Sequence, residues 1–319
     1  MRKPIRSLVV AGSLLCITMS TAFAAQILAP GPDESDLVPT GKGWGERAYP
    51  APPRANENAN GNSNAAGHAK TSNNGIFYHG GPLMLGTTNA YYIWYGNWSG
   101  NTADTILTNL ASSIGGSPYF NINTTYTDGS NTPVTNAVHY AGSTTDNYSQ
   151  TTALSDAGVQ NVVASAISSG RLPKDTHAVY FVLTSADVNE TSGFCTQYCG
   201  WHTHGTIAGS DIKYSFVGNP DRCPSACAEQ TTSPNNNAGA DGMASIISHE
   251  LEEAVTDPDL NAWYDRRGQE NADKCAWTFG TTSTASNGSL YNVTLGGTKY
   301  LVQRNWVNAS GGYCAMQYP

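Results

Sequence analysis

The sequence predicts a single mixed-sheet α/β domain that is cross-linked by disulfides. Short apolar runs typical of buried strands alternate with segments whose apolar residues recur at helical spacing, and this alternation indicates the α/β class. Six cysteines lie downstream of a predicted export signal, which indicates disulfides. At 319 residues the chain has room for one large domain or two small ones. We predict one, spanning residues 75–319.

The first 24 residues have the features of a secretory signal peptide. A basic start precedes an apolar stretch at residues 8–19 that is short for a bilayer span, and an Ala-Phe-Ala cleavage site follows at residues 22–24. Residues 25–74 are rich in Pro, Gly, Asn and Ala without apolar periodicity, so they are predicted to be a disordered linker or propeptide. We therefore expect a secreted protein of the medium, periplasm or cell wall, with no membrane attachment after cleavage.

The composition excludes one large class of function. Charged residues make up 13% of the chain and the formal net charge is -8. A nucleic-acid-binding protein needs a basic surface to replace the counterions of the phosphate backbone, so nucleic-acid partners are not expected. The hydrophobic content of 39% is sufficient for a packed core.

Several segments of the domain have the pattern of regular structure. The run at 178–183 and the aromatic run at 91–94 are apolar on both faces, as in strands that are covered on both sides. In chain order we predict helices at 105–114 and 156–168, and strands at 91–94, 178–183, 213–217 and 300–307.

The six cysteines of the exported chain suggest three disulfides. Spacing of four residues makes the local bridges Cys195–Cys199 and Cys223–Cys227 plausible, which leaves a third bridge between Cys275 and Cys314. A zinc site made of Cys195, Cys199, His202 and His204 is the alternative, although oxidation competes with thiolate ligation outside the cell.

Residues 241–259 carry the most chemical information. Asp241 is a suitable N-cap and Pro258 ends a helix, so a helix of about fifteen residues is predicted between them. At about 100° per residue, Ser248 and Glu252 are predicted to point to water. The opposite side carries an apolar stripe formed by Met243, Ile247, Leu251 and Ala254.

His249, Glu250 and Glu253 form the pattern H-E-x-x-E on this helix. It resembles the H-E-x-x-H pattern of zincin metalloproteases, with a carboxylate in place of the second imidazole. The fold prediction therefore includes a zincin-like active-site helix. One divalent metal, Zn or a harder cation, would be bound by His249 and Glu253, and Glu250 would be the general base.

A metal would need a third ligand. Asp259 lies ten residues after His249, which is the spacing of the third ligand in long zincin motifs, and Glu270 is the other leading candidate. Asp273, His202 and His204 are further alternatives. A different interpretation makes His249 and Glu253 part of an ordinary hydrogen-bond network with no metal.

The chain resembles the EXORDIUM / phosphate-induced protein 1 family over about residues 75–319. The motifs that carry the resemblance are, in order, YHGGP at 78–82, YGNW at 95–98, FC at 194–195, CGWH at 199–202, VGN at 217–219, CP at 223–224, GADGM at 239–243, VTDP at 255–258, YN at 291–292 and YL at 300–301. We interpret the H-E-x-x-E helix as the mark of a bacterial-type member.

The resemblance implies an extracellular or cell-wall-associated protein, linked in plants to growth under carbon or phosphate limitation. Two functions are compatible with it. The first is a secreted metal-dependent, peptidase-like hydrolase, and the alternative is a non-catalytic growth or signalling factor associated with the cell wall or its carbohydrates. The expected partner is a peptide or a cell-wall polysaccharide.

Overall fold

The computed structural model describes residues 38–42 and 75–319. The predicted signal peptide lies outside the described residues, as does the predicted linker apart from residues 38–42. The helices are α1 (Ala103–Ser113), α2 (Asp156–Ser168), α3 (Pro224–Cys227) and α4 (Ala238–Thr256). Short 3-10 helices cover Phe120–Thr125, Pro220–Arg222 and Asp273–Cys275.

The strands divide between one larger sheet and several short pairs. Their bounds are β1 (Phe77–Tyr78), β2 (Thr88–Tyr95), β3 (Val138–Asp146), β4 (Ala153–Leu154), β5 (Ala178–Thr184), β6 (Asn189–Glu190), β7 (Gly200–Ile207), β8 (Ser210–Val217), β9 (Trp263–Tyr264), β10 (Ser283–Thr284), β11 (Leu290–Tyr291), β12 (Val293–Leu295), β13 (Thr298–Tyr300), β14 (Asn305–Val307) and β15 (Tyr313–Ala315).

The five-stranded sheet has the order β3-β2-β5-β8-β7. Strands β3, β2, β5 and β8 are parallel neighbours, whereas β7 pairs antiparallel with β8 at the edge. The chain therefore forms the mixed α/β sheet that the sequence predicts. The antiparallel pair arises because only Ala208 and Gly209 separate β7 from β8, and their positive φ values of 50° and 74° turn the chain back on itself.

Helices cover both faces of this sheet. Connections between parallel strands are right-handed as a rule, and the connections from β2 to β3 and from β3 to β5 run in opposite directions along the sheet. The rule therefore places α1 and α2 on opposite faces. Adjacent residues of β2 show the two sides: the Tyr92 hydroxyl donates to the Leu107 carbonyl in α1, whereas the Tyr91 ring stacks on Tyr180. All of β5 is buried, as predicted for a strand covered on both sides.

Several predicted elements differ from the structure at their ends, and for two of them the structure shows the reason. The predicted strand at 300–307 is two separate short strands, β13 and β14, because the backbone N–H groups of Val302 and Arg304 donate to Asn292 and Thr278 instead of to a neighbouring strand. Helix α4 begins three residues before Asp241, since the Asn237 side chain caps it by accepting from the Ala240 N–H at 3.1 Å.

The described part of the chain contains three disulfides, and two of them differ from the local bridges that the spacing suggested. Cys195 bonds to Cys223 and Cys199 bonds to Cys227, so both bridges join the loop before β7 to the segment around α3. All four thiols are consumed, which rules out the alternative Cys/His zinc site. The Cys275–Cys314 bridge is confirmed.

Candidate metal centre

Two histidines and four carboxylates meet in the interior, where β7, α4 and the segment after β9 come together. We call them the His/carboxylate cluster, and its members are His202, His249, Glu250, Glu253, Glu270 and Asp273. None of the six is more than 4% exposed. Ionisable side chains are buried at this density only where they neutralise one another, become neutral by gaining or losing a proton, or bind a counter-ion.

Helix α4 can present these groups because it is an interior helix. It packs against β5, β7 and β8, against α1, and against the 3-10 turn Phe120–Thr125. Ser248 and Glu252 are therefore fully buried, which makes the prediction that they face water wrong. The predicted apolar stripe is buried, and the polar side of the helix is buried as well.

Strand β7 reaches the helix through a close approach at Gly200. A Cβ atom on Gly200 would lie 2.4 Å from Ile246 Cγ2 and 3.1 Å from Glu250 Oε1. Only glycine allows this separation, and it brings His202, two residues further along the strand, onto the cluster.

His249 and Glu253 lie on the same face of α4, as their spacing predicts. His249 Nε2 is 3.0 Å from Glu253 Oε1 and 3.5 Å from Asp273 Oδ1. The backbone N–H of Asp273 also donates to Glu253 Oε1 at 3.0 Å, which fixes the carboxylate relative to the 3-10 turn. These three side chains form one group of donors within 4.8 Å of one another.

His202 forms the second half of the cluster. Its Nε2 atom is 3.2 Å from each carboxylate oxygen of Glu270 and 3.7 Å from Glu253 Oε2. Ligand atoms of His202, Glu250 and Glu253 also lie within 4.8 Å of one another. Glu250 therefore lies beside the same donors that a metal would use.

Burial is the largest cause of the pKa shifts of His202, Glu253 and Glu270. It lowers the pKa of His202 to about 3, so the imidazole is neutral and has a lone pair to donate. It raises the pKa of Glu253 to about 7, with the charge of Asp273 adding to the effect. The pKa of Glu270 is raised well above its usual range by burial and then by the neighbouring carboxylates. Among the described residues, no lysine or arginine forms an ion pair with Glu253 or Glu270.

Asp259 lies away from His249, contrary to its prediction as a third ligand. Helix α4 ends at Thr256, and Asp257 accepts from the backbone N–H groups of Asn261 and Ala262, so the chain turns away from the helix axis. Asp259 instead lies 3.2 Å from Lys213 Nζ.

His204 also lies outside the cluster and forms a group with Asp259 and Asp211 that is partly exposed. Lys213 pairs with both acids of this group and supplies a positive charge. Of the alternative ligands, the structure therefore brings His202, Glu270 and Asp273 to the cluster, and leaves out His204 and Asp259.

The short segment 38–42 lies against the cluster end of β7. The His202 N–H donates to the Gly41 carbonyl at 3.0 Å. Lys42 is 2.5 Å from Asp156 Oδ2, and it also lies over the rings of Tyr198 and Trp201. This segment belongs to the range predicted as a linker, and no feature of its sequence indicates that it pairs with an edge strand.

The motifs in the sequence and the comparisons with known proteins indicate the same family. The profile of the phosphate-induced protein 1 conserved region matches residues 76–315. The chain belongs to the phosphate-induced protein 1 family. Protein EXORDIUM-like 3 of Arabidopsis thaliana is 31% identical over 276 residues, covering 74% of this chain and 81% of that protein.

Other members of the phosphate-induced protein 1 family are similar over much of the chain. Protein EXORDIUM-like 5 of Arabidopsis thaliana is 32% identical over 270 residues, with 72% of this chain and 74% of that protein covered. Protein PHOSPHATE-INDUCED 1 of Nicotiana tabacum is 27% identical over 217 residues, with 59% and 66% covered. No solved structure matches the chain. Within the described part of this family member, no helix has the length and apolar character needed to cross a bilayer.

Proposed function

We propose that this chain is an exported, non-catalytic member of its family, associated with the cell wall or its carbohydrates, whose interior is stabilised by divalent metal bound in the His/carboxylate cluster. Three disulfides support an oxidising location. The observation that carries the proposal is the burial of the whole cluster. Each of the six side chains in the cluster is between 0 and 4% exposed.

Burial favours a structural metal over a catalytic one. A hydrolytic zinc keeps one coordination position open to water and substrate, whereas a structural site is closed by protein donors. A peptide or polysaccharide bond would have to come within contact of His249 and Glu250, and these side chains are only 2% and 1% exposed. The peptidase-like hydrolase is therefore the less favoured function.

The donor set suits a divalent cation. Imidazole nitrogen and carboxylate oxygen together bind zinc, manganese or iron well, and the high share of carboxylate favours harder cations than a thiolate site would. A cation would also remove the cost of keeping Glu253 and Glu270 charged in the interior, where no lysine or arginine among the described residues pairs with them. Bound metal at 100 times its dissociation constant stabilises a fold by about 2.7 kcal/mol.

The test is elemental analysis and thermal unfolding of the secreted, chelator-free protein. We expect divalent metal to co-purify, EDTA to lower the unfolding temperature, and His249→Ala to lose metal. His204→Ala is the matched control, because this histidine lies outside the cluster, and it should keep the metal. Absence of metal from the wild-type protein would overturn the proposal.

A peptide-library assay separates the structural from the catalytic role. We expect no cleavage by the metal-loaded protein. Metal-dependent cleavage that disappears in Glu250→Gln while the metal is retained would establish the hydrolase instead.

A further inference from the structure

The donors of the His/carboxylate cluster fall into two groups that share one residue. One group contains His249, Glu253 and Asp273, and the other contains His202, Glu250 and Glu253. Resting on the proposed metal-binding function, we infer that the cluster holds two divalent cations bridged by the carboxylate of Glu253.

The two oxygens of Glu253 face different partners. Oε1 lies 3.0 Å from His249 Nε2, whereas Oε2 lies 3.7 Å from His202 Nε2. A carboxylate that offers one oxygen to each of two imidazoles is arranged as a bridging ligand. Bridged cations in two-metal sites are about 3.5–4 Å apart, which a single carboxylate spans.

The distances between donors fit coordination spheres on both sides. Bonds of about 2.0–2.1 Å to a tetrahedral zinc place neighbouring donors about 3.3 Å apart. On one side, the distance from His249 Nε2 to Asp273 Oδ1 is 3.5 Å. On the other, the distance from His202 Nε2 to Glu270 Oε1 is 3.2 Å. Each cation would therefore have one imidazole, one oxygen of Glu253 and one further carboxylate, that of Asp273 in one group and that of Glu250 in the other, with Glu270 beside His202.

The group formed by His204, Asp211 and Asp259 provides the contrast. Its members are partly exposed, and Lys213 pairs with both of its carboxylates. A positive charge is thus already present there. Histidine and carboxylate side chains therefore do not form a cation site wherever they meet, and we place the cations only in the buried cluster.

Metal stoichiometry tests the inference directly. Chelator-treated full-length protein is reloaded with Mn(II) or Zn(II), passed through a desalting column and measured by elemental analysis against protein concentration. We expect two cations per chain for the wild type, one for His202→Ala, one for His249→Ala, and two for the control His204→Ala. One cation in the wild type would overturn the bridged pair while leaving the proposed function intact, and no cation would overturn both.

A second measurement needs no variant and so does not depend on whether a variant folds. Two Mn(II) ions sharing a carboxylate are exchange-coupled, so the electron paramagnetic resonance signal of isolated Mn(II) should weaken as the second equivalent is added to the wild type. A signal that grows in proportion through both equivalents would show separate, unbridged ions and would contradict the inference. In Glu253→Gln we expect the coupling to be lost.

Discussion

The disulfide between Cys275 and Cys314 holds the segment that supplies two acids of the cluster. Cys275 ends the 3-10 turn Asp273–Cys275, and Glu270 precedes this turn by three residues. Its partner lies in β15, near the end of the chain. Removing the bridge in the double variant Cys275→Ser/Cys314→Ser therefore tests both the stability of the fold and the position of Glu270 and Asp273.

The expected loss of stability follows from the length of chain that the bridge closes. The two cysteines are 39 residues apart in sequence. The entropy that a cross-link of this length removes from the unfolded chain corresponds to about 4 kcal/mol at 25 °C. We expect the variant to lose roughly this amount, and its affinity for metal to fall because two ligands are less firmly held.

Urea unfolding with and without saturating Zn(II) measures both effects. The control is Cys195→Ser/Cys223→Ser, whose bridge closes a separation of 28 residues and gives about 3.5 kcal/mol by the same relation. We expect a comparable loss of stability there with a smaller change in metal affinity. A loss below about 1 kcal/mol in the Cys275/Cys314 variant, or equal metal affinities in the two variants, would refute the reasoning.

Three further outcomes are expected. Gly200→Ala should lower the free energy of unfolding in urea by about 1–3 kcal/mol and weaken metal binding, because its Cβ would lie 2.4 Å from Ile246 Cγ2. Wild-type stability together with wild-type metal affinity would show that β7 and α4 do not need this close approach. Gly41→Ala would place a Cβ 1.9 Å from the His202 carbonyl oxygen, so hydrogen exchange at the His202 amide should accelerate, and an unchanged rate would count against the pairing of segment 38–42 with β7. Burial raises the pKa of Asp241, so the free energy of unfolding of the wild type should fall as pH rises from the usual aspartate pKa through the raised one. Asp241→Asn should make this pH dependence weaker, and the same pH dependence in both proteins would contradict the prediction.

The central layer of the fold could be predicted because local and tertiary signals agree there. The helix predicted at 156–168 matches α2 at both ends, since the Ser155 side chain caps it by accepting from the Gly158 N–H and Gly170 follows its last turn with a φ of 71°. The aromatic run at 91–94 lies in β2 because both faces of that strand meet other elements.

The disulfide pairing could not be predicted because it depends on which loops meet. Cys195 and Cys199 lie on a loop whose neighbour in space is the segment around α3, and the Cα atoms of the bridged pairs are 5.8 and 5.6 Å apart. Sequence spacing alone carries no information on that contact.

The candidate site was predictable only for the part that lies on one helix. His249 and Glu253 are four residues apart, so helical geometry brings them together. His202 and Glu270 come from distant segments, and their approach depends on Gly200 and on the turn after α4. Helical periodicity could not predict that Glu252 is buried. The 3-10 turn Phe120–Thr125 covers that side of the helix, and no sequence pattern indicated this turn.

The central claim is that cations neutralise the His/carboxylate cluster, and an anomalous-difference map from crystals of the chelator-free, zinc-loaded protein tests it most directly. We expect two peaks above the zinc edge, one on each side of the Glu253 carboxylate and each about 2.0–2.2 Å from a histidine Nε2 atom. A map without peaks, with the carboxylates of Glu253 and Glu270 in hydrogen-bonded contact with their neighbours alone, would show that protons neutralise the cluster and would contradict the account.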